Sequence, residues 1–296
     1  MQSRKHRLSL IVACLVFLLG IVLFAAPSQG QIFVYVTNSA SSSVSVIDTA
    51  TNTVTATIAV GARPITEAFL PDGSRLYVTN SESDSVSVID TATNIVVATI
   101  PVASFPQGVA ITPDGSRAYV ANSFSGTVAV IDIASNTVID TIAAGSGAAG
   151  VAITPDGSRA YVTNNGTTSV SVIDTATNSV IATIGVALAP VGVAITPDGS
   201  RAYVASNLGG VVSVIDTATN TVITTVAMAQ PVSVTITPDG SRAYVTTNLV
   251  GNVTVIDTAS NTVVATIGIG PNAQGLASLR MEVAPMRQVL APTLFL

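Results

Sequence analysis

Four residue types that carry much of protein chemistry are almost missing from this sequence of 296 residues. It has no tryptophan, and its single histidine, cysteine and lysine (His6, Cys14 and Lys5) all lie near the N-terminus. Beyond them, the chain has no Ser-His or Cys-His nucleophile pair, no imidazole or thiolate zinc site and no histidine-ligated haem or copper. If the protein is an enzyme, its catalytic groups are therefore carboxylates or a metal ion bound by oxygen atoms.

Charge is also scarce, at 9% of residues against about 25% in an average soluble domain. Beyond residue 30 the sequence has sixteen carboxylates and eight arginines, a net charge of −8. An acidic surface without lysine repels phosphate groups. The composition therefore predicts that neither nucleic acid nor an anionic membrane surface is a partner.

The N-terminal segment differs from the rest of the chain. A basic start that includes Arg4 and Arg7 precedes a run at 8–26 that is apolar except for Ser9, and Ser28 and Gly30 form a small-x-small cleavage signal. This pattern predicts a secretory signal peptide over 1–30 and an extracytoplasmic location: periplasm, cell surface or secreted. Because the apolar run is long, an uncleaved membrane anchor stays open as an alternative. Membrane contact is predicted through this segment alone, and only if it is not cleaved.

The remainder is a repeat whose successive tyrosines are 42 residues apart, with a last interval of 41. Each unit contains four β-type runs, here named strand A (G-V-A-I), B (Y-V-T-N), C (V-x-V-I-D) and D (V-x-A-T-I). A T-P-D-G-S-R turn joins A to B, and a T-A-T-N turn joins C to D. Four short strands in a period of this length predict one propeller blade per repeat. The tyrosines are Tyr35, Tyr77, Tyr119, Tyr161, Tyr203 and Tyr244.

These motifs resemble the YVTN β-propeller repeat family over residues 33–279, and Y-V-T-N itself stands at 35–38, 77–80 and 161–164. The resemblance implies a β-propeller and is typical of bacterial and archaeal cell-surface and secreted proteins. The family serves many roles, so it implies no particular function.

Both ends of the repeat region are incomplete, which predicts how the propeller closes. The chain starts with a B strand at 33–38 that no A strand precedes, and 274–279 matches an A strand that no B strand follows. We therefore predict an all-β propeller over 31–279 with six four-stranded blades, closed by pairing of the N- and C-terminal strands. A seventh blade supplied by another chain is the alternative. Residues 280–296 form a divergent tail.

Loops alternate between the two faces of such a propeller. The A–B and C–D turns are nearly identical between repeats, and their aspartates are predicted to cap the turns. The B–C and D–A loops differ between repeats and share the opposite face, named here the variable-loop face. Rigid frames commonly carry their binding loops in this way.

One charged cluster is predicted on the variable-loop face. Glu67 stands where the other repeats have valine, Arg63 precedes it in the same D–A loop, and Glu82 and Asp84 lie in the B–C loop of that blade. One interpretation is an Arg63–Glu67 ion pair beside a solvated acidic loop. The other is a site of oxygen donors, with Glu67, Glu82 and Asp84 as Ca²⁺ ligands or Arg63 and Glu67 as ligand-binding residues.

No catalytic residue is predicted, and Ca²⁺ is the one cofactor considered. We expect a non-catalytic binding or cell-surface scaffold module, with a protein or carbohydrate partner at the variable-loop face. Two alternatives stay open. A carboxylate- or Ca²⁺-dependent propeller enzyme, such as a lactonase, would need close, unpaired carboxylates at the channel mouth. A structural component of the cell envelope would need lateral contacts between chains.

Overall fold

The structure, a computed structural model, describes residues 32–248, 251–269 and the strand Val289–Leu290. These residues form six sheets of four strands each, which confirms the predicted all-β propeller of six blades. No helix that could cross a membrane occurs in this part of the chain. The predicted signal peptide at 1–30 lies outside it and stays a prediction.

The blades follow one another along the chain, with strand A innermost and strand D outermost. Blade 1 consists of β1 (Phe33–Asn38), β2 (Ser43–Asp48), β3 (Thr53–Ala59) and β24 (Val289–Leu290). Blade 2 consists of β4 (Pro64–Phe69), β5 (Arg75–Asn80), β6 (Ser85–Asp90) and β7 (Ile95–Pro101). Blade 3 consists of β8 (Pro106–Ile111), β9 (Arg117–Asn122), β10 (Thr127–Asp132) and β11 (Thr137–Ala143).

Blades 4 to 6 repeat this arrangement. Blade 4 consists of β12 (Ala148–Ile153), β13 (Arg159–Asn164), β14 (Ser169–Asp174) and β15 (Ser179–Gly185). Blade 5 consists of β16 (Pro190–Ile195), β17 (Arg201–Ser206), β18 (Val211–Asp216) and β19 (Thr221–Ala227). Blade 6 consists of β20 (Pro231–Ile236), β21 (Arg242–Thr247), β22 (Asn252–Asp257) and β23 (Thr262–Gly268).

Burial along each strand reflects its place in the blade. Strands B and C are buried on both faces, as in β6, because each blade is packed between two neighbours. Strand D forms the outer rim, and in β7 most residues are exposed while Ile100 is buried against the next blade. The hydrophobic core is therefore a series of layers between blades rather than one central mass.

The two predicted turns form as expected. At the C–D turn, the Asp90 carboxylate accepts hydrogen bonds from the amide of Thr93 and its hydroxyl, and Asn94 adopts a positive φ of 56°. Asparagine tolerates this left-handed conformation better than most residues, which explains why the repeat keeps it there. At the A–B turn, the Asp114 carboxylate accepts from Ser116 and Thr112. These hydrogen bonds lower the pKa of both aspartates.

A tyrosine–asparagine hydrogen bond, named here the latch, joins each of blades 1 to 5 to the blade that follows it. The strand-B tyrosine donates to the side-chain oxygen of the C–D turn asparagine in the following blade, at 2.7–2.8 Å. The two residues belong to separate sequence motifs, so their contact does not follow from the repeat pattern. The five latches are Tyr35–Asn94, Tyr77–Asn136, Tyr119–Asn178, Tyr161–Asn220 and Tyr203–Asn261.

A strand near the C-terminus completes blade 1, which confirms that strands from both ends of the chain pair. The pairing strand is Val289–Leu290, and it runs parallel to β1, with Phe33 opposite Val289 and Val34 opposite Leu290. The inner strands of the other blades are antiparallel to their neighbours. The segment predicted for this role, 274–279, lies outside the described residues.

Candidate functional site

Backbone hydrogen bonds on the variable-loop face bring two loop residues next to each other in three of the blade-to-blade junctions. The second residue of a B–C loop donates its amide to the preceding D–A loop: Glu82 to Ala62, and Phe124 to Ser104. The same bond recurs as Gly166 to Ser146. In these three junctions, the last residue of the D–A loop therefore lies beside the second residue of the B–C loop. These pairs are Arg63 with Glu82, Phe105 with Phe124, and Gly147 with Gly166.

The most distinctive of these pairs is aromatic. The rings of Phe105 and Phe124 are stacked, with centroids 4.2 Å apart and planes at 12°. Phe124 is 77% exposed, which makes it the most exposed large hydrophobic side chain of the described residues. The outer face of its ring is therefore free to contact a ligand. We name Phe105, Phe124, Arg63, Glu82 and Asp84 the aromatic–charged cluster.

Polar groups hold this stack in place. The Arg63 guanidinium carbon lies 5.6 Å from the centroid of the Phe105 ring, within the range of a cation–π contact. The amide of Phe105 donates to the Asp84 carboxylate at 2.8 Å. Phe105 has a φ of 60°, a conformation that costs about 1–2 kcal/mol for a residue other than glycine. Ala189 and Gln230, at the equivalent loop position of other blades, also have a positive φ. The strained backbone is therefore common to this loop, whereas the phenylalanine side chain is specific to blade 3.

Arg63 pairs with Glu82 rather than with Glu67, which corrects the predicted ion pair. The Arg63 nitrogen lies 3.2 Å from the Glu82 carboxylate, and both side chains are about half-exposed. An exposed pair of this kind contributes at most about 1 kcal/mol to stability. Its effect is instead to orient two charged groups beside the stacked rings.

Glu67 does not belong to the aromatic–charged cluster. The sequence placed it near the channel mouth, but its side chain is 8% exposed and its carboxyl interacts with the hydroxyl of Thr37 on blade 1. One carboxyl oxygen has no hydrogen-bond partner. Desolvation raises the pKa of Glu67 to about 8. Because strand-A side chains alternate, this position faces the neighbouring blade, as Val109 does in the next repeat.

The three carboxylates considered as Ca²⁺ ligands are separated. Within the described residues, no three acidic, histidine or cysteine side chains approach closely enough to hold a metal ion. Glu82 is paired with Arg63, Asp84 accepts from a backbone amide, and Glu67 is buried between blades. Ca²⁺ binds six to eight oxygens, so a site at Glu82 or Asp84 would need most of its donors from a ligand.

Surface pockets on the two faces of the propeller differ in whether the same lining residues recur between repeats. One of about 510 Å³ lies between blades 1 and 2, beside the cluster, and is lined by Val60, Ser83, Asp84 and Pro101 among others. On the opposite face, two pockets of about 480 and 270 Å³ are lined by equivalent turn residues of different blades. Because equivalent residues line both pockets, these pockets follow from the repeated turns and do not indicate a specific binding site.

Neither phenylalanine is among the predicted site residues, because the predicted cluster consists of charged side chains alone. The signal was present in the repeat alignment, where Phe105 is equivalent to Arg63 and Gly147, and Phe124 is equivalent to Glu82 and Gly166. The other repeats have no aromatic residue at either position, and an aromatic residue in a variable loop is a candidate for binding. Their mutual contact required the tertiary structure.

Comparison with known proteins agrees with this architecture. Residues 71–154 match the model of the family described as YNCE-like beta-propeller. A search of curated proteins found no match. Among solved structures, hydrazine synthase of Kuenenia stuttgartiensis is 25% identical with a TM-score of 0.73, and the alignment covers 86% of this chain and 91% of that one. A functionally unknown protein of Desulfotomaculum acetoxidans is 24% identical with a TM-score of 0.70, covering 81% and 80% respectively.

Proposed function

We propose that this chain, a β-propeller of the YVTN type, is an exported, non-catalytic binding module whose ligand is a carbohydrate. The observation that carries the proposal is the exposed Phe105–Phe124 stack on the variable-loop face, with Arg63 and Glu82 beside it. Export rests on the signal-peptide pattern of the first 30 residues.

The chemistry of the aromatic–charged cluster fits a sugar ring. A pyranose has an apolar C–H face and a rim of hydroxyl groups, so it combines contact with an aromatic ring and hydrogen bonds to polar side chains. Phe124 offers an open ring face, while Glu82 offers carboxylate acceptors and Arg63 offers guanidinium donors. Small-ligand sites combine an apolar contact surface, which contributes affinity, with a few fixed polar groups, which set the orientation of the ligand.

The same residues give little support to catalysis. Each acidic group of the cluster already has a partner, since Glu82 pairs with Arg63 and Asp84 accepts the Phe105 amide. A carboxylate mechanism needs one acid and one base that are close and free. The hydrazine synthase similarity therefore supports the fold, and we assign this chain no part of that enzyme's reaction.

Substitution of one exposed side chain tests the proposal. We expect Phe124→Ala to weaken binding of the best ligand in a panel of soluble oligosaccharides by roughly tenfold or more, a loss of at least 1.4 kcal/mol. Isothermal titration calorimetry is the suitable measurement, because the chain has no tryptophan whose fluorescence could report binding.

The repeat supplies a matched control. Leu208 occupies the position equivalent to Phe124 two blades further on and is 66% exposed, so Leu208→Ala removes a similar exposed apolar group. It should bind like the wild type, and both variants should melt like it. Equal binding by Phe124→Ala and wild type would contradict the site. Failure of every oligosaccharide to bind would contradict the ligand class and favour a protein partner.

A further inference from the structure

The cavity between blades 1 and 2 has the size and the lining of a small-ligand site. Its volume of about 510 Å³ falls within the range of about 300–1,000 Å³ that such sites occupy. Two buried residues of strand C, Ser85 and Ser87, line it with polar groups, and Val96 and Pro101 of the rim strand line it with apolar surface. The cavity therefore offers both hydrogen bonds and apolar contact to a ligand.

Close contact between two loops builds one wall of this cavity. Gly61 of the D–A loop lies against Ser83 of the B–C loop, since a Cβ atom at Gly61 would stand 2.4 Å from the Ser83 hydroxyl oxygen. The amide of Ala62 donates to that same oxygen at 3.0 Å. Because Gly61 and Ser83 both line the cavity, this wall is held in place by a direct contact between the loops.

Asp84 is the one charged residue among those that line the cavity. Its Oδ1 atom accepts the amide of Phe105 at 2.8 Å, whereas its Oδ2 atom has no hydrogen bond within the described residues. No cation pairs with this exposed carboxylate in the described part of the chain, since the nearby Arg63 pairs with Glu82. The negative charge of Asp84 is therefore available to a ligand.

The variable-loop face as a whole has few charges, and their balance is negative. Among the described residues of the B–C and D–A loops, only Arg63, Glu82 and Asp84 are charged. The Arg63–Glu82 ion pair is neutral, so Asp84 supplies the excess charge. A cavity with one unpaired carboxylate repels carboxylate, sulfate and phosphate groups and attracts a protonated amine.

Asp84 also connects the cavity with the aromatic stack. The carboxylate that lines the cavity accepts the amide of Phe105, whose ring stacks on Phe124 with centroids 4.2 Å apart. The cavity and the aromatic–charged cluster therefore share one residue and form a continuous surface. A ligand with several units can contact the exposed ring of Phe124 with one unit and occupy the cavity with another.

We infer that the ligand is an amino sugar, whose protonated amine donates to the Asp84 carboxylate in the cavity between blades 1 and 2. This inference rests on the proposed function, because it specifies which carbohydrate the aromatic–charged cluster binds. A hydrogen bond between an ammonium group and a carboxylate is roughly twice as strong as one between neutral groups. The serine hydroxyls of the cavity can donate to and accept from the sugar hydroxyls. Acetylation of the amine removes its charge, and with it the advantage of this contact.

Isothermal titration calorimetry with two matched ligands tests the assignment. One is a glucosamine trimer, and the other is the same trimer with every amine acetylated. At about pH 6, where a free amine is protonated, we expect the wild type to bind the free-amine trimer at least about tenfold more tightly. The ratio of the two affinities should decrease at high salt, because salt screens the attraction between exposed charges.

Substitution of Asp84 separates its charge from its structural role. Asp84→Asn removes the charge but keeps a side-chain oxygen that can accept the Phe105 amide, so the loop should keep its conformation. The ratio of the two affinities should fall close to one in this variant. Asp140→Asn is the matched control, since Asp140 is an exposed carboxylate on the rim strand of blade 3. It should keep the ratio of the wild type.

The possible results distinguish this inference from the proposed function. Equal affinity of the wild type for the two trimers would overturn the amino-sugar assignment, and so would a preference that persists in Asp84→Asn. If neither trimer binds while a neutral oligosaccharide does, the amino sugar is wrong and the carbohydrate proposal stands. If no oligosaccharide binds, the proposed function fails, and this inference fails with it.

Discussion

The wild type is expected to lose stability as the pH rises from about 4.5 to 8, and Glu67→Gln is expected to abolish most of this pH dependence. In the folded protein, burial raises the pKa of Glu67 to about 8 from an ordinary value of 4.5. The folded state therefore keeps the proton over this range while the unfolded state releases it. The proton stabilises the fold fully below pH 4.5, and this contribution is lost progressively as the pH rises towards 8.

The expected magnitude is on the order of a few kcal/mol, since each pKa unit corresponds to about 1.4 kcal/mol. At about 2–4 °C per kcal/mol for a domain of this size, the wild type should melt several degrees lower at pH 8 than at pH 5. Glutamine cannot ionise, so Glu67→Gln should melt at nearly the same temperature at both. Glu67→Val introduces the valine that the other repeats have at this position, and at pH 8 it should be more stable than the wild type.

Glu82→Gln is the matched control, because Glu82 is an exposed glutamate of the same blade. Its melting temperature should follow the wild type across the pH range. Parallel curves for Glu67→Gln and the wild type would contradict a buried, protonated Glu67. The turn aspartates have lowered pKa values, that of Asp239 being about 2. They therefore stabilise the fold above their unfolded pKa and lose this effect in acid, outside the Glu67 window.

Truncation of a single latch tyrosine is expected to have the other large effect. Tyr161 is completely buried, packs between blades 4 and 5, and donates to Asn220 at 2.7 Å. Tyr161→Ala removes a large aromatic ring from this layer, so we expect the free energy of unfolding to fall by about 3–5 kcal/mol. Tyr161→Phe removes the hydroxyl alone and should cost about 1 kcal/mol, rising towards 3 if Asn220 finds no new partner.

Tyr244 offers the same substitutions where the latch is not formed. It is only partly buried and makes no latch within the described residues, so Tyr244→Phe should be near neutral and Tyr244→Ala should cost less than Tyr161→Ala. Denaturant unfolding of the four variants measures these differences. Equal losses at the two positions would show that blade 6 is as tightly packed as blade 4.

The interpretation of Glu67 shows how a correct periodicity can still lead to a wrong contact. Comparison of repeats identified it as the residue that departs from valine. The same comparison predicts the direction of its side chain, because Val109 and Val234 at this position are buried. Proximity to Arg63 in the sequence suggested an ion pair instead. Desolvating a charged carboxylate is unfavourable. In the structure, burial raises the pKa of Glu67, so that the carboxyl is neutral when buried, and its partner is the Thr37 hydroxyl rather than a cation.

By itself, the sequence determined the fold and its turns. The 42-residue period, the β-branched runs and the Asp-Gly and Asp-Thr-Ala turns act over a few neighbouring residues, so local hydrogen bonding and strand alternation were enough to predict six blades. Tertiary structure decided everything that depends on how blades pack. The latch joins residues 59 positions apart, the Phe105–Phe124 stack joins two loops, and the closing strand came from Val289–Leu290 in parallel orientation. These contacts depend on the distance and angle between neighbouring blades, which no local pattern specifies.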